Sequence, residues 1–181
     1  MGIGTIGRCV ALAAVLAIGF GPALPGVEAR PDWKARTNAG GYLPESVECQ
    51  ALQKMNAFRR KHGKGPLTLS ATLGAAAEHH SADMASRNYF DHNLRGGPTW
   101  DQNIRQHGYR AFPIGENIAA GMGSAAGVVN AWKQSPEHRR GMLDGDYGAV
   151  GIGRAYDASS EYGYYWTADF GGPVDHAISC R

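Results

Sequence analysis

Apolar side chains recur with helical period in "ESVECQALQKMNAFRRKHG", where Val47, Ala51, Leu52, Met55 and Phe58 share one face and the run ends in cations before Gly63. A second helix is predicted from Ser70 as N-cap through "ATLGAAAEHHSADMASRN", with Leu73, Ala76, Ala77, His80 and Met84 on its apolar side. His80 therefore reads as a hydrogen-bonded core residue rather than a ligand, and His79 as a solvated neighbour. "GGPTWDQNIRQHGY" predicts a turn, Thr99 as a cap, a short helix and a stop at Gly108. In "GMGSAAGVVNAWKQS" a flexible loop leads to Ser124 as a cap and a helix that buries Val128, Val129 and Trp132. Ser135 and Pro136 suit the cap and first position of one more helix, which puts His138 on its first turn.

The pattern then changes period. "GAVGIGRAY" and "YGYYWTADFG" are rich in Gly, β-branched and aromatic residues, and the second alternates Tyr164, Trp166, Ala168 and Phe170 against Tyr165, Thr167 and Asp169. Two antiparallel strands joined by the "DASSEYG" turn are expected. Helices first and a hairpin last define an α+β domain, not a chain of βαβ units.

With 181 residues, 43% hydrophobic and 19% charged, the chain suits one domain with a full core. Its formal net charge is +2, and the densest basic run, "FRRKHGK", reads as a solvated helix end, so nucleic acid is not an expected partner. Residues 1–29 read as an export signal: Arg8 is the positive start, "CVALAAVLAIGF" the apolar centre and "VEA" the small-residue pattern for cleavage near Ala29. Export to the periplasm or the medium is expected, with an uncleaved anchor as the alternative. Residues 30–44 form a flexible lead-in and residues 45–181 the domain. Cleavage removes Cys9 and leaves Cys49 and Cys180, a pair that an oxidising compartment favours as a disulfide over two separate thiols.

In order, "AAAEHHSADMASRNYFDH", "HGYRAFPIGENIAAG", "VVNAWKQSPEHRRGML", "GAVGIGRAY" and "YYWTADFG" resemble successive signature blocks of the bacterial branch of the CAP superfamily, also called the SCP domain. This superfamily groups cysteine-rich secretory proteins, antigen five and pathogenesis-related proteins. The resemblance covers about residues 47–173. It implies a three-layer α-β-α sandwich with a central antiparallel sheet, usually in secreted proteins, and a cleft lined by two histidines and acidic residues. Those positions fall on His92, Glu116 and His138 here. Where many eukaryotic members carry a further acid, this chain has Ser135.

Three chemistries are open to such a cleft. Two neutral imidazoles and a carboxylate suit Zn²⁺, with His92, His138 and Glu116 as the ligand set, although no HExxH-type spacing occurs. A hydrolase would use His92 or His138 as a general base oriented by Glu116, but Ser135, the one hydroxyl the motif offers, reads better as a cap. A binding module without chemistry is the third reading, and the expectation here is a monomeric module of this kind. Relatives that bind sterols or other lipids, or act through the cell envelope, imply ligands of that class. In that reading the loop "AAGMGSAAG" supplies a mobile apolar edge with Met122. A purely structural role would have Glu116 tie down its loop and Asn117 bond nearby backbone, with Trp132 as core.

Overall fold

The computed structural model describes residues 41–180. Residues 1–29, where the export signal is expected, most of the expected lead-in and Arg181 lie outside the described residues. Five helices are present among the described residues: α1 (Ser46–Lys61), α2 (Ala71–Arg87), α3 (Trp100–Gln106), α4 (Ala125–Gln134) and α5 (Pro136–Leu143). Five strands, β1 (Thr68–Ser70), β2 (Ile114–Ala120), β3 (Ala149–Tyr156), β4 (Tyr164–Gly171) and β5 (Ala177–Ile178), form one sheet in the order β2-β4-β3-β1-β5.

Local chemistry starts and stops the helices much as the pattern predicts. Ser70 accepts from the Leu73 N–H at 3.3 Å, and α2 ends at Asn88, whose left-handed backbone (φ 50°) breaks the helix. Thr99 and Gln102 form a capping box on α3, and Ser124 accepts from the Gly127 N–H at 3.1 Å on α4. Ser135 holds the N-cap position of α5 with Pro136 next to it, but its side chain makes no capping hydrogen bond. The fixed φ of Pro136 and the missing proline N–H start that helix instead.

The sheet is antiparallel except where β1 runs parallel to β3, pairing Thr68 with Ala149 and Leu69 with Val150. The hairpin β3–β4 pairs Ala149 with Gly171 through to Tyr156 with Tyr164, as its alternation predicts. Trp166, Ala168 and Phe170 project to one side with Val150 and Ile152, where α1, α4 and α5 cover them through Met55, Phe58, Val128, Trp132 and Met142. The other face is covered by α2 and α3. Helices on both faces of one sheet make the three-layer α-β-α sandwich.

The approach of α2 depends on missing side chains. A Cβ on Gly151 would lie 2.0 Å from the Leu73 carbonyl carbon, and one on Gly153 would lie 2.4 Å from the backbone of Ala77. With no side chain at either position, the helix backbone rests directly on β3. Ser81 then donates to the Gly153 carbonyl at 3.1 Å and bonds Thr167 Oγ1 at 3.0 Å.

Several positions differ from expectation. Tyr42, in the expected lead-in, is 2% exposed, packs over Gly74 and donates to the Ile152 carbonyl, so the ordered domain begins before Glu45. Arg59, in the basic run that reads as solvated, is 1% exposed. Its guanidinium donates to the carbonyls of Gly65 (2.6 Å), Met142 (2.8 Å), Asp144 (2.8 Å) and Tyr147 (3.0 Å), tying α1 to the segment after α5. His79 is half-buried: its Nδ1 bonds the Asn103 side chain at 2.8 Å beneath α3. Cys49 and Cys180 form a disulfide with their Cα atoms 5.7 Å apart, joining α1 to the end of the chain. Among the described residues no helix is long and apolar enough to cross a membrane.

Candidate functional site

Glu116 is the third residue of β2, an edge strand of the sheet, and not part of a loop. Pairing with β4 imposes the extended backbone that Gly115, Glu116 and Asn117 do not announce by propensity. Period-2 alternation sends Glu116 to the α2 side and Asn117 to the α5 side. The Glu116 side chain is 1% exposed.

Two imidazoles close over this carboxylate. His80, on α2, contacts Glu116 Oε2 through Nδ1 at 2.7 Å, and His92, in the loop after α2, contacts Oε1 through Nδ1 at 2.7 Å. His80 Nε2 donates to the Asp91 carbonyl at 3.0 Å, since a carbonyl oxygen only accepts. His80 thus does more than fill the core: one ring grips both the buried acid and the backbone beside His92. The His92 side chain keeps 48% of its surface exposed. His138 is half-buried on α5, and Asn117 Nδ2 donates to its carbonyl at 3.0 Å. Asn117 therefore anchors α5, not the turn of its own segment, and Gly141 leaves it room, since a Cβ there would lie 3.1 Å from Asn117 Oδ1.

Trp132 donates to the Ile118 carbonyl at 3.2 Å and holds α4 on β2. The Met122 loop is also more anchored than expected. Met122 packs against the core and its carbonyl accepts from Trp166 at 2.6 Å, beyond the far end of β2 from Glu116.

A second acid lies beneath the first. Asp169 on β4 sits opposite Glu116 in register and is 0% exposed, and its protonated carboxyl donates a hydrogen bond to the Glu116 carboxylate. Burial, then the Glu116 charge, pushes the Asp169 carboxyl well above its ordinary range, so it is held neutral beside Glu116. The sequence contains a signal for it: an acid inside an otherwise apolar strand, on the face opposite Trp166 and Phe170.

The electrostatics divide the histidines. Burial alone would raise the Glu116 carboxyl, but the hydrogen bonds and charges of His80 and His92 reverse this and hold it below its ordinary value. The bond to Glu116 raises His92 above 6.5, against the opposing effect of burial. Burial, then the charge of His92, lowers His138 below 6.5, and the N–H end of α5 acts in the same direction. The His92–Glu116 bond therefore contributes stability below pH 6.5 that is lost as pH rises through the raised His92 value. On the Glu116 side, the contribution present above 4.5 is lost as pH falls through its lowered value. An NMR titration of the chelator-treated protein is expected to place the His92 midpoint above 6.5 and that of His138 below it. Glu116→Gln should bring His92 back toward 6.5; an unchanged His92 midpoint in that variant would remove Glu116 as the cause.

The ligand set His92, Glu116 and His138 does not fit a metal as arranged. Both Glu116 oxygens are occupied by ring nitrogens, and among the described residues no group of three or more His, Cys, Asp or Glu is placed to hold an ion. Nor does a nucleophile complete the site: among the described residues no hydroxyl or thiol hydrogen-bonds His92 or His138. Beside the cleft, an open groove of about 610 Å³ runs along the loop that carries His92, lined by Phe90, Asp91, Asn93, Arg95, Glu161 and Tyr162 among others.

This fold and cleft define a class. The model of the CAP family, the cysteine-rich secretory protein family, matches residues 52–170, and the chain belongs to that family. It is 34% identical over 146 residues to the Bacillus subtilis (strain 168) protein YkwD, covering 77% of this chain and 54% of that protein. A second relative is the Bacillus subtilis membrane protein YlbC, at 31% identity over 111 residues, 61% of this chain and 32% of that protein. The chain thus spans about half the length of the first and a third of the second. Among solved structures, it resembles an extracellular SCP-domain protein from Bacillus anthracis at TM-score 0.61 and 25% identity, covering 75% of this chain and 45% of that one. An outer surface protein of Borrelia burgdorferi shares the fold at TM-score 0.63 and 22% identity, covering 75% of this chain and 99% of that one.

Proposed function

We propose that this CAP domain is an exported binding module, with His92, Glu116 and His138 as a recognition cleft instead of a reaction centre. One observation carries the reading: the buried carboxylate already has both oxygens bonded to imidazoles, while among the described residues no nucleophile is bonded to a histidine of the cleft. Glu116 is thereby a positioning residue that fixes the His92 loop and the wall of the adjoining groove. Export is supported by the signal pattern of residues 1–29 and by the extracellular description of the Bacillus anthracis relative. The lipid or sterol ligands implied by the family have less support at Met122, which is packed away from the cleft.

Ester and peptide hydrolysis by wild type and His138→Ala tests this. Equal background rates support a binding module; turnover that disappears with His138 would establish the hydrolase alternative. A metal remains a second reading only through the imidazoles of His92 and His138. Calorimetric Zn²⁺ binding that survives Glu116→Gln but is lost in His138→Ala would support a site of two imidazoles. Loss in both variants would restore Glu116 as a ligand.

A further inference from the structure

The outer face of α1, α4 and α5 gathers cations that the sequence scatters. Lys54, Phe58 and Lys61 recur at i, i+4 and i+7 on α1, and residues 49–64 contain no acid. Lys133, from the last turn of α4, lies 5.2 Å from the Phe58 ring centre, and the Arg139 guanidinium, from α5, lies 5.1 Å from it. His62 donates through Nδ1 to the Phe58 carbonyl at 2.9 Å, leaving Nε2 to accept from Arg139 at 3.1 Å. Among the described residues none of Lys54, Lys61, Lys133 and Arg139 takes part in an ion pair. Burial, then the charges of Lys61 and Lys54, lowers Lys133. Among the described residues the fold thus holds like charges together with no carboxylate in ion-pair contact with them.

We propose that this face, built from Lys54, Lys61, Lys133 and Arg139, is a docking surface for a linear phosphate polyanion that carries no bases. Charge complementarity selects a polyanion. Phosphate is favoured because Arg139, over Phe58 and hydrogen-bonded through one Nη to His62, keeps its remaining N–H groups available as a fork that can match two phosphate oxygens. A nucleic acid strand would want exposed rings for base stacking, and a bilayer would want an apolar side chain to insert. The ring here is buried under the cations at 8% exposure, and among the described residues the exposed large apolar ones, Leu43, Phe90, Phe112, Tyr162 and Val174, belong to other segments.

Inorganic polyphosphate and poly(glycerol phosphate) serve as probes, titrated against the disulfide-intact protein across a salt series. Four phosphate contacts predict a slope of log affinity against log salt of about −3. Lys133→Gln/Arg139→Gln should lose at least about tenfold in affinity near 50 mM salt and flatten the slope by about 1.5. Arg87→Gln/Arg110→Gln removes the same charge elsewhere on the surface and should change neither quantity beyond twofold. Unchanged melting curves would show that both variants are folded. Absence of binding at low salt, or an equal loss in both double variants, overturns the proposal. So does tighter binding to a poly-dT oligonucleotide or to vesicles rich in anionic phospholipid than to either polymer.

Discussion

A single methyl group at Gly151 is expected to lower the melting temperature by on the order of 10 °C, and Gly151→Ala/Gly153→Ala together should leave no cooperative melt. The added carbon would sit 2.0 Å from the Leu73 backbone, and at Gly153 2.4 Å from that of Ala77. Both neighbours are main chain, so no rotamer change relieves the overlap, and α2 must lift from the sheet. Overpacking of this kind costs about 3 kcal/mol per site, at the upper end of the usual range. Lifting α2 also withdraws His80 from Glu116, so the His92 loop loses its anchor along with the core. Gly65→Ala is the control, because a Cβ there meets nothing within 4 Å. Thermal denaturation followed by circular dichroism would decide; a Gly151→Ala melt within about 2 °C of wild type would mean that the contact between α2 and β3 is not the constraint described.

Opening the Cys49–Cys180 bridge is the second large effect. The bond spans 131 residues, and restoring the entropy of so long a loop to the unfolded chain costs the folded state about 4–5 kcal/mol, or roughly 15 °C in melting temperature. Cys49→Ala/Cys180→Ala should show this without reductant, and the wild type should show it after reduction. The loss begins at the end of the chain, because β5 is held to β1 by only two residue pairs, Leu69 with Ile178 and Ser70 with Ala177. Hydrogen exchange in the reduced protein should therefore quicken first at Ala177 and Ile178. A double variant as stable as wild type would show that packing of β5, not the covalent link, holds that edge.

Helices and the terminal hairpin were legible because amphipathic spacing and capping residues are local signals. Ser70, Thr99 and Ser124 mark their helices from sequence, and the alternation in "YGYYWTADFG" gives the strand and its two faces. β1, β2 and β5 were not legible. β1 and β5 are three and two residues long, and the Gly, Glu and Asn of β2 have little strand preference of their own. Their conformation comes from partners about 50 to 110 residues away.

The cleft residues were legible through the family resemblance of the motif blocks, and the pairing of Cys49 with Cys180 was favoured over two separate thiols by the oxidising compartment that the pattern of residues 1–29 implies. Tertiary structure decided how those residues are used. It placed His80 between Glu116 and the Asp91 carbonyl, laid Asp169 beneath Glu116, buried Arg59 under four carbonyls and brought Lys133 and Arg139 onto Phe58. The physical reason is the same in each case. Burial and neighbouring charge set what an ionisable side chain does, and both are fixed by residues far away in the chain.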